Sequence, residues 1–270
     1  MVHTPSALTR SHTLRANIGD ADDLRRRGGD CDRTDLGSPA ETMRPCDISY
    51  LRGDGAVGTV RPSVPAHPVF DSAFSAFARG TLIATTRGPV AIEDLAPGMK
   101  VVTNERGPSP VLWIGCMTWA QPRDGIDPGA GGGRLTRIHT GALGLGRPLA
   151  DVMVGPGARI AQRRDGNNGA AHADQIMRPL HEMTDGMHVI ALSPPGDLEL
   201  YHIALRRHAT ITAAGLDFET YHPGPGFETQ LTQRQLGLFI NLFPHLMRPS
   251  DFGSLAHPRA PLANGGRAIT

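Results

Sequence analysis

The sequence of 270 residues contains few aromatic residues, only 5%, and no apolar run long enough to cross a membrane as a helix. Its three cysteines, Cys31, Cys46 and Cys116, form no C-x-x-C pair, which argues against a zinc ribbon and against a disulfide framework. The N-terminal residues are polar and lack the apolar stretch of a secretory signal peptide. We therefore expect no membrane span, and a cytoplasmic location is the default expectation.

The chain also has no large excess of either positive or negative charge. The 27 basic residues balance 26 acidic ones, and Lys100 is the only lysine. A net charge of +1 excludes the strong basic field that nucleic-acid binding requires, so we expect no nucleic-acid partner. The sequence names no other partner, and we expect a monomer.

Glycine and proline are abundant, with 33 and 23 residues. About one residue in five is therefore a turn former, which is too many for a helical bundle and too few for collagen. This composition favours an all-β fold.

The order of patterns predicts four regions. Residues 1–68 alternate charges with little to bury and are predicted to be a disordered leader. Residues 74–226 alternate short apolar runs with turn signals, as in a β domain whose last strand is 209–213. Residues 227–248 contain leucines and phenylalanines at helical spacing, which predicts a docked helix with a membrane-surface helix as the alternative. Residues 249–270 are predicted to be a disordered tail.

Four blocks in 74–226 resemble the Hint (hedgehog/intein) domain family in its stand-alone bacterial form. The first block is AFARGTLI at 76–83, followed by TTRG at 85–88 and LAPG at 95–98. The second is GPSPVLWIG at 107–115, and the third is GALGLGRPLAD at 141–151. The fourth is YHIALRRH at 201–208, followed by Gly215 and by ETY at 219–221.

The resemblance implies a compact, Hint-type β fold that catalyses its own cleavage or splicing. In active relatives a cysteine at the first position attacks the preceding carbonyl and forms a thioester. That chemistry needs a nucleophile, a histidine that protonates the leaving nitrogen, and donors that stabilise the oxyanion. It implies no cofactor, and no metal site is expected from the residues.

The chain departs from the family pattern at three positions. The nucleophile position is Ala76, and a methyl group cannot attack a carbonyl. The block that relatives read as Val-Ser-Pro-x-His-Arg is VGPGAR at 154–159, so Gly155 and Ala158 replace the hydroxyl and the imidazole. These losses predict a catalytically degenerate domain. One alternative is self-cleavage by a displaced nucleophile, Ser75, and another is a partner-binding module that uses the 230–248 helix.

Few other polar residues are candidates for a site. His208 lies where the family places a histidine, and His202 shares its strand face. Two histidines without a third ligand do not make a metal site, and a structural role is favoured for both. Cys116 is expected to be a buried core residue, and Asp151 to fix a turn. No acid–base partner for Glu219 can be assigned from spacing.

Overall fold

A computed structural model describes residues 42–120, 134–163, 175–193 and 196–261 of the chain. The strands of the first half are β1 (Met43–Leu51), β2 (Val57–Val60), β3 (Ser63–Pro65), β4 (Phe77–Ala78), β5 (Leu82–Thr85), β6 (Gly88–Ala91), β7 (Lys100–Thr103) and β8 (Gly107–Trp119). Those of the second half are β9 (Leu135–Ile138), β10 (Val152–Val154), β11 (Arg159–Arg163), β12 (Gln175–Pro179), β13 (Val189–Leu192), β14 (Leu198–Leu205), β15 (Thr210–Ala213) and β16 (Leu216–Glu219). The α-helices are α1 (Pro68–Ser72) and α2 (Gln233–Asn241). The all-β class predicted from composition is confirmed.

The strands form one continuous path in the order β12-β11-β16-β15-β5-β7-β8-β14-β4-β10-β9-β13. All pairs of these strands are antiparallel, and β6 adds to β5. The long strand β8 holds the path together, because it pairs with β7, β14 and β1. Strand β4 is only two residues long but lies between β14 and β10.

The predicted last strand, 209–213, is followed by one more. Strand β16 pairs with β15 through a tight turn at Ala214 and Gly215, which both have positive φ, 48° and 82°. Two consecutive positive φ values fit the twist of a two-residue hairpin. The sequence analysis missed this turn because alanine rarely adopts such a conformation.

The predicted disorder over residues 1–68 is wrong from residue 43 onward. Strand β1 pairs with β8 from Cys46, opposite Met117, to Tyr50, opposite Trp113. Cys46 and Ile48 are buried whereas the intervening Asp47 is exposed, which is the alternation of a half-buried strand. The composition of residues 1–68 does not reveal β1, because this short amphipathic strand lies within a mostly polar region. Residues 1–41 lie outside the described part.

The predicted disordered tail over residues 249–270 is wrong for residues 249–261. A 3₁₀ turn covers Pro249–Phe252, and Arg259 forms an isolated bridge with Met177 of β12. The Met177 amide donates to the Pro258 carbonyl, and the Ala260 amide donates to that of Met177. Docking of this segment depends on a partner strand distant in sequence, which local composition does not reveal. Residues 262–270 lie outside the described part.

Helix α2 is shorter than the predicted 230–248. It begins with a capping box, in which the Thr232 side chain accepts from the Gln235 amide and the Gln235 side chain accepts from the Thr232 amide. It ends at Asn241, three residues before Pro244. Among the described residues, no helix is both long and apolar enough to span a membrane.

Two main clusters of buried side chains fill the interior. The larger lies within residues 76–218. The second joins residues from before and after this segment around Trp113, and its buried phenylalanines are Phe70, Phe74, Phe227, Phe239 and Phe243. The Trp113 indole donates a hydrogen bond of 2.6 Å to the Leu242 carbonyl. The segments on both sides of the domain therefore share one core.

We expect Phe239→Ala to lower the free energy of unfolding by about 3–5 kcal/mol, as for other fully buried phenylalanines. Phe239 has no exposed surface and meets Phe70 edge-to-face with ring centroids 5.3 Å apart. Urea unfolding measures the change. The matched control is Leu238→Ala in the same helix, which is 37% exposed and should cost about 1 kcal/mol or less. Equal costs for the two variants would contradict a shared core.

Candidate functional site

The Ser75–Ala76 peptide bond precedes β4 and is held from two sides. The Ala76 amide donates to the Tyr201 carbonyl of β14 at 3.0 Å. The Gly155 amide, just after β10, donates to the Ala76 carbonyl at 2.9 Å. Ala76 is only 1% exposed. The fold thus brings together Ala76 and Gly155, two of the positions at which the sequence departs from the family pattern.

The Ser75 carbonyl is the one that a nucleophile at position 76 would attack. It accepts a hydrogen bond of 2.9 Å from the Gly157 amide. A backbone N–H aimed at a reacting carbonyl is the type of donor that stabilises an oxyanion. The site therefore retains a donor of the kind that the chemistry needs, although the sequence analysis did not identify Gly157.

Gly155 leaves no room for a side chain in this backbone arrangement. A Cβ atom built on Gly155 would lie 2.4 Å from the Ser75 carbonyl oxygen and 2.8 Å from a methyl of Leu200. A Cβ on Gly157 would lie 2.8 Å from the Ser72 carbonyl oxygen and 3.0 Å from the Ser75 hydroxyl. A hydroxyl-bearing residue at position 155 would require the backbone to move.

Ala158, where the sequence analysis expects a histidine in active relatives, lies in the core with 1% exposure. Its amide donates to the Gly155 carbonyl at 3.2 Å, and its carbonyl accepts from the Leu180 amide at 3.1 Å. Its methyl group has no proton to give. The fold thus places Ala158 one turn from Gly155, with no acid at this position.

The Ser75 hydroxyl is buried and has no hydrogen-bond partner among the described residues. A serine nucleophile needs a base within hydrogen-bond reach to accept its proton. The described surroundings of Ser75 supply none.

His208 belongs to a different cluster. Its Nδ1 accepts a hydrogen bond of 2.8 Å from the Ala256 amide, and its Nε2 lies 3.1 Å from Oε1 of Glu219. Because Nδ1 accepts from the backbone, Nε2 is the ring nitrogen that can donate to the carboxylate. Among the described residues no hydrogen bond or ion pair joins His208 to Ser75 or Ala76.

Glu219 is the centre of this buried cluster. Arg259 donates to Oε1 at 2.9 Å, and Arg159 lies 3.9 Å from Oε2. Burial alone would raise the pKa of the Glu219 carboxyl, but the hydrogen bond from His208 and the charge of Arg259 outweigh burial and lower it to about 2. Burial lowers the pKa of Arg159. The Glu219 carboxylate stays ionised and ties the C-terminal segment to the β domain.

His202 is a core residue. Its ring packs edge-on against Phe77 and Tyr221, and its Nδ1 accepts from the Ile203 amide at 3.1 Å. Burial lowers the pKa of His202 to about 3, so the ring is neutral at physiological pH. Among the described residues, no group of three or more histidine, cysteine, aspartate or glutamate side chains is placed to hold a metal ion.

Cys116 and Asp151 have structural surroundings. Burial raises the pKa of the half-buried Cys116 thiol to about 11, so it is protonated and a poor nucleophile near neutral pH. Asp151 accepts from the Thr140 amide at 2.8 Å and from the Arg137 side chain. It holds the loop that follows β9.

Sequence reasoning missed the residues that contact the Ser75–Ala76 bond through their backbones, Gly157 and Tyr201. A backbone contact leaves little trace in residue type, although the Gly-Pro-Gly sequence at 155–157 signals a close approach of two chains. It also missed Arg259, because that residue was assigned to a disordered tail.

The family model of the Hint domain matches residues 75–225, more than half of the chain. The chain belongs to the Hint domain family. No curated protein is similar enough to count as a match. The predicted Hint-type fold is thereby confirmed.

Solved structures of intein and intein-like domains are among those that the chain matches. The bacterial intein-like domain from Clostridium thermocellum is 14% identical with a TM-score of 0.32, covering 54% of this chain and 99% of that one. A splicing-inactive variant of the AceL NrdHF class 3 split intein is 10% identical with a TM-score of 0.34, covering 55% and 99%. A mutant of the Ssp DnaB mini-intein is 13% identical with a TM-score of 0.28, covering 54% and 90%. At these values they add nothing to the family match.

We expect Gly155→Ala to lower the free energy of unfolding by about 1–3 kcal/mol, because its new methyl group overlaps the Ser75 carbonyl. Urea unfolding measures this cost. Gly53→Ala is the control, since Gly53 has no atom within 4 Å of an added Cβ. A Gly155 variant as stable as the control would disprove the close contact.

The pH dependence of stability tests the burial of His202. Its pKa in the folded state, about 3, lies below the ordinary value of 6.5, so the unfolded chain takes up the proton first. The stability that His202 contributes is present above pH 6.5 and is lost as pH falls towards 3. We expect His202→Gln to reduce the slope of unfolding free energy against pH by about 1.4 kcal/mol per pH unit in this window. Urea unfolding over a series of pH values measures the slope, and an unchanged slope in His202→Gln would contradict the buried, neutral ring.

Proposed function

We propose that this Hint domain does not cleave itself and serves as a folded scaffold. The observation that carries the proposal is the closed contact between Ser75–Ala76 and the turn at 155–157. The bond that active relatives break is here packed against backbone, with Gly155 in the place of the hydroxyl-bearing residue. The proposed extent of the domain is 74–226.

Two chemical groups are missing from this contact. Ala76 supplies no nucleophile, and the loss of a covalent nucleophile alone costs on the order of 10⁶ in rate, or about 8 kcal/mol. Ala158 supplies no acid for the leaving nitrogen, whose N–H instead donates to the Tyr201 carbonyl. The hydrogen bond from Gly157 to Ser75 would stabilise an oxyanion only if one formed. Without a nucleophile and an acid, the Gly157 amide only hydrogen-bonds the intact peptide bond.

The surroundings of the upstream segment also favour a scaffold. Strand β1 pairs with β8, and Phe70 and Phe74 are fully buried beside Trp113 and α2. In a self-cleaving domain the upstream segment must be able to leave. Here its departure would expose the second core and break a strand pairing.

The two alternative functions have less support. Ser75 has no described base, so its hydroxyl is not activated. A partner-binding helix needs an exposed apolar face, whereas Phe239, Leu242 and Phe243 of the α2 region are buried against the domain itself.

Intact mass spectrometry tests the proposal on the purified full-length chain, fresh and after incubation with dithiothreitol, a thiol that would intercept any thioester. We expect one species of 28.8 kDa in both samples. We expect the same of Ala76→Cys, because the acid at position 158 is still missing. Paired fragments 1–75 and 76–270 from the wild type would overturn the proposal. Cleavage of the cysteine variant alone would show that another group supplies the acid.

A further inference from the structure

Three arginines line one small cavity away from the Ser75–Ala76 bond. Arg106 lies in the turn between β7 and β8, and Arg206 and Arg207 lie in the bend between β14 and β15. The chain at 252–256 forms the opposite wall, and the cavity has a volume of about 280 Å³. Arginines from segments far apart in sequence therefore line the same cavity.

No carboxylate of the described residues forms an ion pair with these three arginines. Glu105 is adjacent to Arg106 in sequence, but its carboxylate accepts from the Thr210 amide and hydroxyl, at 2.9 and 2.7 Å. The same carboxylate lies 3.0 Å from His257. Glu105 is therefore hydrogen-bonded to other partners and, within the described part of the chain, forms no ion pair with the guanidinium groups of the cavity.

His208 joins the cavity to a buried charged cluster. His208 lines the cavity and contacts Glu219, which is shared by two further arginines, Arg159 and Arg259. Both ring nitrogens of His208 are already engaged. Among the described residues, Glu219 is therefore paired with Arg159 and Arg259 and forms no ion pair with the arginines of the cavity.

One hydrogen-bond donor at the cavity is held by the protein, and other donors there have no partner among the described residues. Arg106 donates to the His208 carbonyl, which holds its guanidinium at the rim. The amides of Ser254 and Leu255 and the hydroxyl of Ser254 have no hydrogen-bond partner among the described residues. Guanidinium and backbone N–H groups that converge on one space are the usual donors to an oxyanion.

We infer that this cavity binds a phosphate-type dianion, either inorganic phosphate or the phosphate group of a monoester. Guanidinium forks match the oxygen geometry of phosphate, and a dianion relieves the repulsion among three arginines. The volume lies just below the range of about 300–1,000 Å³ for drug-sized ligands, which suits a small group. A polymer is disfavoured because the chain as a whole carries a net charge of only +1.

Thermal unfolding of the full chain tests this inference. Inorganic phosphate and O-phosphoserine are added separately, against sodium chloride at the same ionic strength. We expect at least one of them to raise Tm by about 2–4 °C near saturation, because a ligand that binds only the folded state stabilises it. A larger shift with phosphoserine assigns the site to a monoester, and a larger shift with phosphate assigns it to the free ion.

The double variant Arg206→Gln/Arg207→Gln should lose this shift. Without ligand it should be at least as stable as the wild type, because two repelling charges are gone; a purely structural role would instead make it less stable. Arg87→Gln, at an exposed arginine that does not line the cavity, should keep the full shift. Two results would overturn the inference: no stabilisation beyond chloride by either ligand, or a shift that persists in the double variant.

Discussion

The two-residue strand β4 is the constraint on which the candidate site depends. Phe77 pairs with Tyr201 of β14 on one side and with Val154 of β10 on the other. These pairings fix the preceding peptide bond between two strands, and the turn after β10 then folds over it. Because the pairing is antiparallel on both sides, Ala76 cannot shift along one neighbour without breaking hydrogen bonds to the other.

The position of β4 also explains why glycines occupy positions 155 and 157. Gly155 and Gly157 let two backbones approach more closely than any side chain would permit. The approach buries the Ser75 carbonyl and satisfies it with one N–H group, as a buried carbonyl requires. The contact between the 155–157 turn and Ser75 therefore fills the space that a catalytic side chain at position 155 would need.

The second core links this local arrangement to the whole domain. Trp113 of β8 contacts aromatic rings from the upstream segment, Phe74, and from the region after α2, Phe243. Its indole also satisfies the Leu242 carbonyl near the end of α2. Burial of several phenylalanines at about 1.5–3 kcal/mol each gives these segments a large share in stability. The segments outside the family match are therefore part of the folded unit rather than cargo attached to it.

The sequence allowed the β class and most strands of the matched region to be predicted, because alternating apolar runs and turn residues act locally. The predicted strand 209–213, for example, corresponds to β15 (Thr210–Ala213). It also led to the prediction that positions 76, 155 and 158 lack the catalytic groups, since Phe77, Gly80 and Pro156 fix the register of their blocks. Strand β1 and the docking of Arg259 could not be predicted in this way. Each depends on a partner that only the tertiary fold supplies, β8 for the first and Glu219 for the second.

The geometry also bears on whether activity could return by a single substitution. A cysteine at position 76 would find its target carbonyl bonded to Gly157, but no acid to release the amide nitrogen. A histidine at position 158 would have to fit where Ala158 is buried, and a serine at 155 would overlap the carbonyl that it should serve. Repair at position 155 or 158 is therefore blocked by packing, whereas repair at position 76 lacks an acid. The inactivity proposed here thus rests on several positions at once, and not on one missing side chain.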